Sequence, residues 1–396
     1  MFTKGNNITK KRSLRMTHID SKLPNVGTNI FTAIGKLANE YNAVNLSQGF
    51  PNFGADPKLL QLVDDALKSG YNQYAPMQGS FSLRNIISEK IAALYGKTYH
   101  PESEITVTSG ATQAIFTAIS AFVRPGDEVI VLKPAYDCYE PAIELFGGKT
   151  VPIQMEGLDY KLNWDTFKSA ITSKTKMVII NTPHNPAGTI WSKNDMLQLQ
   201  EILKDTNIIL LSDEVYEHIV FDGKQHESVA KYPDLASRSF ICSSFGKTFH
   251  VTGWKIGYCV APKALMNEFQ KVHQFNVFCV NHPTQEALAK YLEIPEHYLN
   301  LGLFYQEKRD YFLNAIRSSR FKMIPSSGTY FQILDYSDIT NEGDTKFAER
   351  LIKDYKLASI PVSVFNLNNL DNKQLRFCFA KTNDVLDQAA EILNRI

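Results

Sequence analysis

A surplus of charge of either sign is missing from this chain: 42 Lys and Arg against 41 Asp and Glu leave a formal net charge of +1. That balance supplies no field to gather nucleic acid or to hold the chain on a membrane surface, and small neutral or zwitterionic ligands fit it better. Cysteine is scarce. The five present, Cys138, Cys242, Cys259, Cys279 and Cys378, are odd in number and scattered, without the paired spacings of a disulfide framework or a zinc site. A reducing cytoplasm is the expected home, and no motif suggests a metal. No apolar run approaches the ~20 residues of a membrane-spanning helix. Residues 1–15 are basic but lack the apolar centre of a secretory signal and the Arg-rich amphipathic face of an organelle-targeting peptide. Residues 1–19 therefore read as a flexible tail. Repeats and low-complexity segments are lacking too.

Apolar material is ample. With 44% hydrophobic and 11% aromatic content in 396 residues, the chain can bury one large and one smaller domain. Between Asp56 and Tyr95 the apolar spacing is helical. Short apolar runs then appear at Ile105-Val107, Val129-Leu132, Met177-Ile180, Ile208-Leu211, Ser239-Cys242 and Gly257-Ala261, most of them separated by room for a helix. Such alternation predicts a mainly parallel sheet covered on both faces. Beyond about Pro295 the pattern changes. A long helix is predicted over Leu299 to Arg317, strands near Gly328-Leu334 and Gln374-Phe379, and helices at Lys346-Tyr355 and Val385-Leu393. The expected division is an N-terminal arm, 20–45, joining a small C-terminal domain, 296–396, beside a large domain, 46–295.

Ligands of open parallel sheets bind beyond the carboxyl ends of the strands, and the chemically suggestive segments fall there. Ser243-Ser244-Phe245-Gly246-Lys247-Thr248, followed by Gly253-Trp254-Lys255, sets a lysine among small residues with a second cation eight positions on. A lysine that attacks an aldehyde must first lose its proton, which burial and a positive neighbour promote. Taken alone, a structural Ser-Phe-Gly-Lys turn accounts for the segment equally well. Ser109-Gly110-Ala111-Thr112 opens a helical stretch whose free amides would suit a phosphate, though an ordinary Ser/Thr cap explains it too. Asn181-Thr182-Pro183-His184-Asn185-Pro186 makes a stiff turn that can aim Asn185 inward. Asp213 ends a buried run and needs a charged or hydrogen-bonding partner. A local lysine or arginine would serve, but beside Lys247 a protonated ring nitrogen suits it better.

In this order and spacing, together with Asn45-Leu46-Ser47-Gln48-Gly49-Phe50-Pro51, Asn72-Gln73-Tyr74-Ala75-Pro76, Tyr136-Asp137-Cys138-Tyr139-Glu140-Pro141, Ser212-Asp213-Glu214-Val215-Tyr216-Glu217-His218 and Leu375-Arg376-Phe377-Cys378-Phe379-Ala380-Lys381, these segments resemble the class I aminotransferases. That group belongs to the fold-type I pyridoxal-phosphate (PLP) enzymes, and the likeness spans Leu23 to Ile396. It is strongest to methionine aminotransferases and their kynurenine/glutamine aminotransferase relatives.

The resemblance implies an α/β fold with a mainly parallel seven-stranded sheet plus a smaller α+β domain, with PLP as cofactor. It implies Lys247 as the lysine that carries the cofactor and then moves the substrate proton. Asp213 would hold the pyridinium nitrogen, Asn185 and Tyr216 the ring oxygen, and Tyr136 would stack on the ring. Ala111, Thr112, Ser244 and Lys255 would share the phosphate. Many relatives carry arginine where Lys255 stands, so the phosphate grip is less directional here. Arg376 and the Gly49 backbone would hold the substrate α-carboxylate. Tyr74 would reach the phosphate of a partner subunit, making the protein a homodimer with shared active sites. The stretch Phe275 to His282 would line the side-chain pocket without an arginine, and Phe31 would form an aromatic wall. A neutral donor is expected, methionine first and then aromatic or glutamine-like, with a 2-oxo acid as acceptor. A β-lyase acting on cysteine conjugates is the alternative on the same fold. A regulator would need a helix-turn-helix domain ahead of the fold, and none is expected before Leu23. His184 and His218 receive no catalytic role.

Overall fold

The computed structural model describes residues 20–396; the expected tail, 1–19, lies outside them. In chain order the strands are β1 (Val44–Asn45), β2 (Ile105–Thr108), β3 (Glu128–Lys133), β4 (Lys149–Gln154), β5 (Thr175–Asn181), β6 (Ile209–Asp213), β7 (Ser239–Ser244), β8 (Gly257–Val260), β9 (Phe331–Asp335), β10 (Leu357–Ala358), β11 (Ile360–Pro361) and β12 (Gln374–Cys378). Seven of them form one sheet in the order β2-β8-β7-β6-β5-β3-β4. Six run in one direction, and β8 lies antiparallel to both its neighbours, β7 and β2.

Period-two alternation explains why both faces are covered. Ile130, Leu132, Val178, Ile180 and Leu210 enter one apolar core, while Val129, Val131, Met177, Ile179, Ile209 and Leu211 enter another on the opposite face. Six of the seven strands coincide with the apolar runs read from the sequence. The seventh, β4, escaped because Pro152 and the polar Lys149, Thr150 and Gln154 break its apolar character. Only an edge strand tolerates a proline in this way, and β4 is an edge.

A third core surrounds the antiparallel sheet β11-β12-β9. Its helices, Leu301–Ala315, Asp344–Tyr355 and Asn383–Leu393, lie where the apolar spacing predicted them. The N-terminal helix Ile30–Glu40 and β1 attach to this unit, β1 pairing with β10 in parallel. The same core takes in Tyr216, Ile219 and Phe221 from the turn after β6. The two units are thus locked together immediately beside Asp213.

Candidate active site

Because all the parallel strands end at one edge of the sheet, the segments that follow them converge. Asp213 ends β6, Ser244 ends β7 with Lys247 one turn beyond, Asn185 follows β5, and Tyr136 follows β3. Ala111 and Thr112 begin the helix Gly110–Phe122 after β2. Since β8 runs the opposite way, its start lies at this same edge, and Lys255 precedes it. These residues, with Tyr216, line a cavity of about 160 Å³.

One end of the cavity is built for an anion. No side chain caps the amides of helix Gly110–Phe122, so the serine-cap alternative for Ser109 does not apply. Close backbone contact brings Lys255 to these amides: a Cβ on Gly257 would lie 2.4 Å from the Ser243 carbonyl and 3.2 Å from the Ala111 nitrogen. Gly110 has φ +72°, and a Cβ there would lie 3.3 Å from Lys255 Nζ. Free amides at a helix start and an ammonium together favour a phosphate.

Asp213 is 4% exposed. Its carboxylate accepts the Tyr139 hydroxyl at 2.6 Å and the Val215 amide at 3.2 Å, neither of which is a cation. Burial raises it to about 6 in spite of both bonds. A buried carboxylate short of a positive partner is the chemistry a protonated ring nitrogen completes. Lys247 shows the converse. Burial lowers its amine to about 8, and the cations of Arg376 and Lys255 push the same way, so a usable neutral fraction exists near neutrality. Its Nζ donates to the Gly49 carbonyl at 3.1 Å.

A second cavity, of about 350 Å³, adjoins the first and shares Tyr136, Asn185, Tyr216 and Lys247 with it. Phe31, Phe50 and Phe331 supply its apolar wall, and Arg376 its guanidinium. Arg376 is 1% exposed, the reverse of the surface ion pair a lone strand arginine usually makes. It donates to Asn185 Oδ1 at 2.8 Å and to the Ser47 carbonyl at 3.1 Å, while its Nε has no partner. The Phe331 ring lies 3.9 Å from the guanidinium carbon. A buried guanidinium bonded only to neutral oxygens is an open seat for a carboxylate. Because Asn185 Oδ1 is occupied by a donor-only group, its Nδ2 is turned elsewhere.

Tyr74 stands apart from this constellation. It is 81% exposed and packs edge-on against Phe278 at 5.4 Å, beside a groove of about 570 Å³ lined by Cys279 and His282. Tyr139, Tyr330 and Ser47 were missed in the sequence. Tyr139 lies inside the Tyr136-to-Pro141 string, three residues after Tyr136, and that spacing on the start of helix Tyr139–Leu145 was the available signal. The Tyr330 hydroxyl donates to the Gly49 carbonyl at 2.6 Å. His184 accepts the Gly188 amide at its carbonyl and donates its own amide to Thr189, so it shapes the Pro183/Pro186 turn. Among the described residues no group of three His, Cys, Asp or Glu is placed to hold a metal, and no helix is long and apolar enough to cross a membrane.

A family model for aminotransferases of class I and II matches residues 41–393. The chain belongs to that family. Its members are PLP-dependent transaminases of fold type I, and the aminotransferase described here has the residues to fit that cofactor: an anion cradle, a carboxylate short of a cation and a lysine with a depressed pKa around one cavity. A methionine aminotransferase of Escherichia coli is 45% identical over 95% of this chain and 98% of its own length. An E. coli structure described as having methionine aminotransferase function superposes with a TM-score of 0.94 at 44% identity, covering 96% of this chain and all of that one. The N-succinyldiaminopimelate aminotransferase structure from Mycobacterium tuberculosis gives 0.91 at 34% identity, covering 96% and 100%. A kynurenine–oxoglutarate transaminase of Dictyostelium discoideum is 33% identical over 98% of this chain and 99% of its own.

Proposed function

We propose that this aminotransferase takes its amino group from a neutral L-amino acid, methionine first and aromatic or glutamine-like side chains after it, and passes it to a 2-oxo acid. One observation carries the reading: the outer cavity has phenylalanine walls and a single arginine, and it meets the inner cavity at Lys247. Arg376 is then committed to the α-carboxylate, and the described residues lining that cavity offer no second guanidinium for an acidic side chain. The similarity to an E. coli methionine aminotransferase supports the first choice of donor. An apolar pocket separates side chains differing by one methylene by only about 1–3 kcal/mol, so several neutral amino acids compete.

Each residue then has a task. When bound, the pyridinium ring of PLP supplies the electron sink that lets an amino acid lose its Cα proton. Asp213 would hold the proton on the ring nitrogen, with Tyr139 and the Val215 amide fixing the carboxylate. Tyr216 and Asn185 Nδ2 would face the ring oxygen, and Tyr136 the ring plane. The amides of Ala111 and Thr112, the Ser244 hydroxyl and the Lys255 ammonium would take the phosphate. Arg376, with the Gly49 backbone beside it, would orient the amino acid by its α-carboxylate. Lys247, once its amine is free, would take that proton.

The exposed Tyr74, Phe275 and Phe278 support a homodimer in which Tyr74 completes the partner's site. Five free thiols support a reducing cytoplasm. The cores on the two faces of the seven-stranded sheet support a large domain, 46–295, and the core around β11-β12-β9 a small domain, 296–396, joined by the arm 20–45. A panel of amino donors with 2-oxo acid acceptors tests the reading. Methionine should rank at or near the top and aspartate far below, whereas preferred turnover of aspartate would refute it. Pyruvate and ammonia released from cysteine conjugates without any oxo acid would favour the β-lyase alternative.

A further inference from the structure

The turn Asp213 to Ile219 alternates in direction. Asp213 and Tyr216 face the inner cavity, while Glu214 and Glu217 point into the protein behind it. Glu214 accepts from the Ser212 hydroxyl at 2.8 Å and from the Val229 amide at 3.1 Å, and pairs with His226 at 2.8 Å. Glu217 is 7% exposed. It accepts from Lys90 at 2.7 Å, Tyr95 at 2.7 Å and Tyr258 at 2.8 Å.

Lys90, from the helix Phe81–Tyr95, has its three ammonium protons matched by three acceptors: Glu217, the Tyr258 oxygen at 2.9 Å and His218 Nε2 at 3.0 Å. His218 is held neutral, its pKa pushed down to about 3 by burial and by the Lys90 ammonium, so Nε2 offers a lone pair. Burial alone would raise the Glu217 carboxyl, but the Lys90 ammonium outweighs it and holds the group well below the usual range. The cluster is therefore an ionised, saturated clamp tying one helix, β8 and the turn together.

Stability does not require such a clamp, since a buried ion pair is often no better than an apolar pair of the same shape. Its effect is local. The Tyr216 ring touches Tyr330 edge-on at 5.1 Å and Phe331 at 6.0 Å, and a side-chain hydrogen bond also links it to Tyr330. These contacts act on a ring whose starting position is set by the backbone of the turn, and Glu217 is the next residue.

Building on the PLP reading of the inner cavity, we propose that Lys90, Glu217 and Tyr258 are positioning residues that act on the reaction through Tyr216. The test is a double-mutant cycle on cofactor-loaded protein, with Glu217→Gln and Tyr258→Phe made alone and in a Tyr216→Phe background. Two readouts are kcat and KM for methionine, and the pH midpoint of the bound cofactor's visible band. Residues acting through one another give non-additive effects, so each single variant should lower kcat about tenfold, leave KM within about twofold and move the midpoint by roughly half a pH unit or more, with both effects nearly gone in the Tyr216→Phe background. Losses that multiply in that background, or single variants that leave kcat and the midpoint unmoved, would overturn the proposal. If Glu217→Gln fails to fold, Tyr258→Phe carries the test, since it removes one hydroxyl from a ring still packed on Phe245. A wild-type protein that develops no visible band with PLP refutes the reading of the cavity, and the proposal with it.

Discussion

Replacing Asp213 by asparagine should make the cofactor-free protein more stable and the loaded protein useless. The carboxyl stands at about 6 against an ordinary 3.8, a difference of about two pH units, and at 1.36 kcal/mol per unit the buried charge costs the cofactor-free fold about 3 kcal/mol at pH 8. Asparagine removes that cost but pairs less well with the Tyr139 hydroxyl and the Val215 amide, giving back about 1 kcal/mol. A gain of about 2 kcal/mol remains. In a chain of this length it corresponds to roughly 2–3 °C in Tm. The sign follows from the raised pKa: the charge is absent from both states below about 4, its penalty grows as pH rises from about 4 to 6, and it is constant above. Paired thermal and urea unfolding of wild type and Asp213→Asn without cofactor, at pH 4 and pH 8, should show the variant ahead only at pH 8. Saturating PLP should then stabilise wild type and barely affect the variant. A variant less stable than wild type at pH 8 without cofactor would show that Asp213 is not short of a positive partner.

Four further outcomes are expected. Lys247→Ala should abolish turnover and the visible band of the loaded protein; in the cofactor-free protein, amine labelling at Lys247 should rise with pH through about 8, not near 10.5, which peptide mapping can read. Arg376→Lys should cost about a hundredfold in kcat/KM through loss of a forked, charge-assisted contact, and steady-state kinetics with methionine would measure it. Tyr139→Phe should weaken PLP binding and lower kcat about tenfold by stripping Asp213 of one hydrogen bond, as seen by cofactor titration. Gly257→Ala forces a Cβ to within 2.4 Å of a carbonyl oxygen, so the phosphate end should open and PLP affinity fall at least tenfold, a test of backbone contact alone.

Local pattern and long-range packing were not equally legible in the chain. Lys247, Asp213 and Asn185 could be read because each sits in a short string at a strand end, and Arg376 from its string within β12; the fold brings all four around two adjoining cavities. The clamp could not be read so easily. Lys90 looks like one of many helix lysines, yet it shares a face with Leu83 and Ile87 at helical spacing, and a charge on that buried stripe was the clue. Ser47 acts through its backbone carbonyl, which a one-letter code does not distinguish. Tyr74 stands alone in one chain, and the proposed homodimer would place its contacts on another subunit.

The reversal of β8 has a mechanical corollary. A parallel strand after β7 would have carried the chain to the far end of the sheet, whereas the hairpin returns at once, so the two lysines at 247 and 255 hang from a single loop. In the proposed roles of Lys247 and Lys255, a covalent tether and an ionic tether would form one harness whose span is set by a count of residues. Point replacements between 249 and 253 should be absorbed by that harness, but adding or deleting one residue would change its reach and let one anchor hold only by releasing the other.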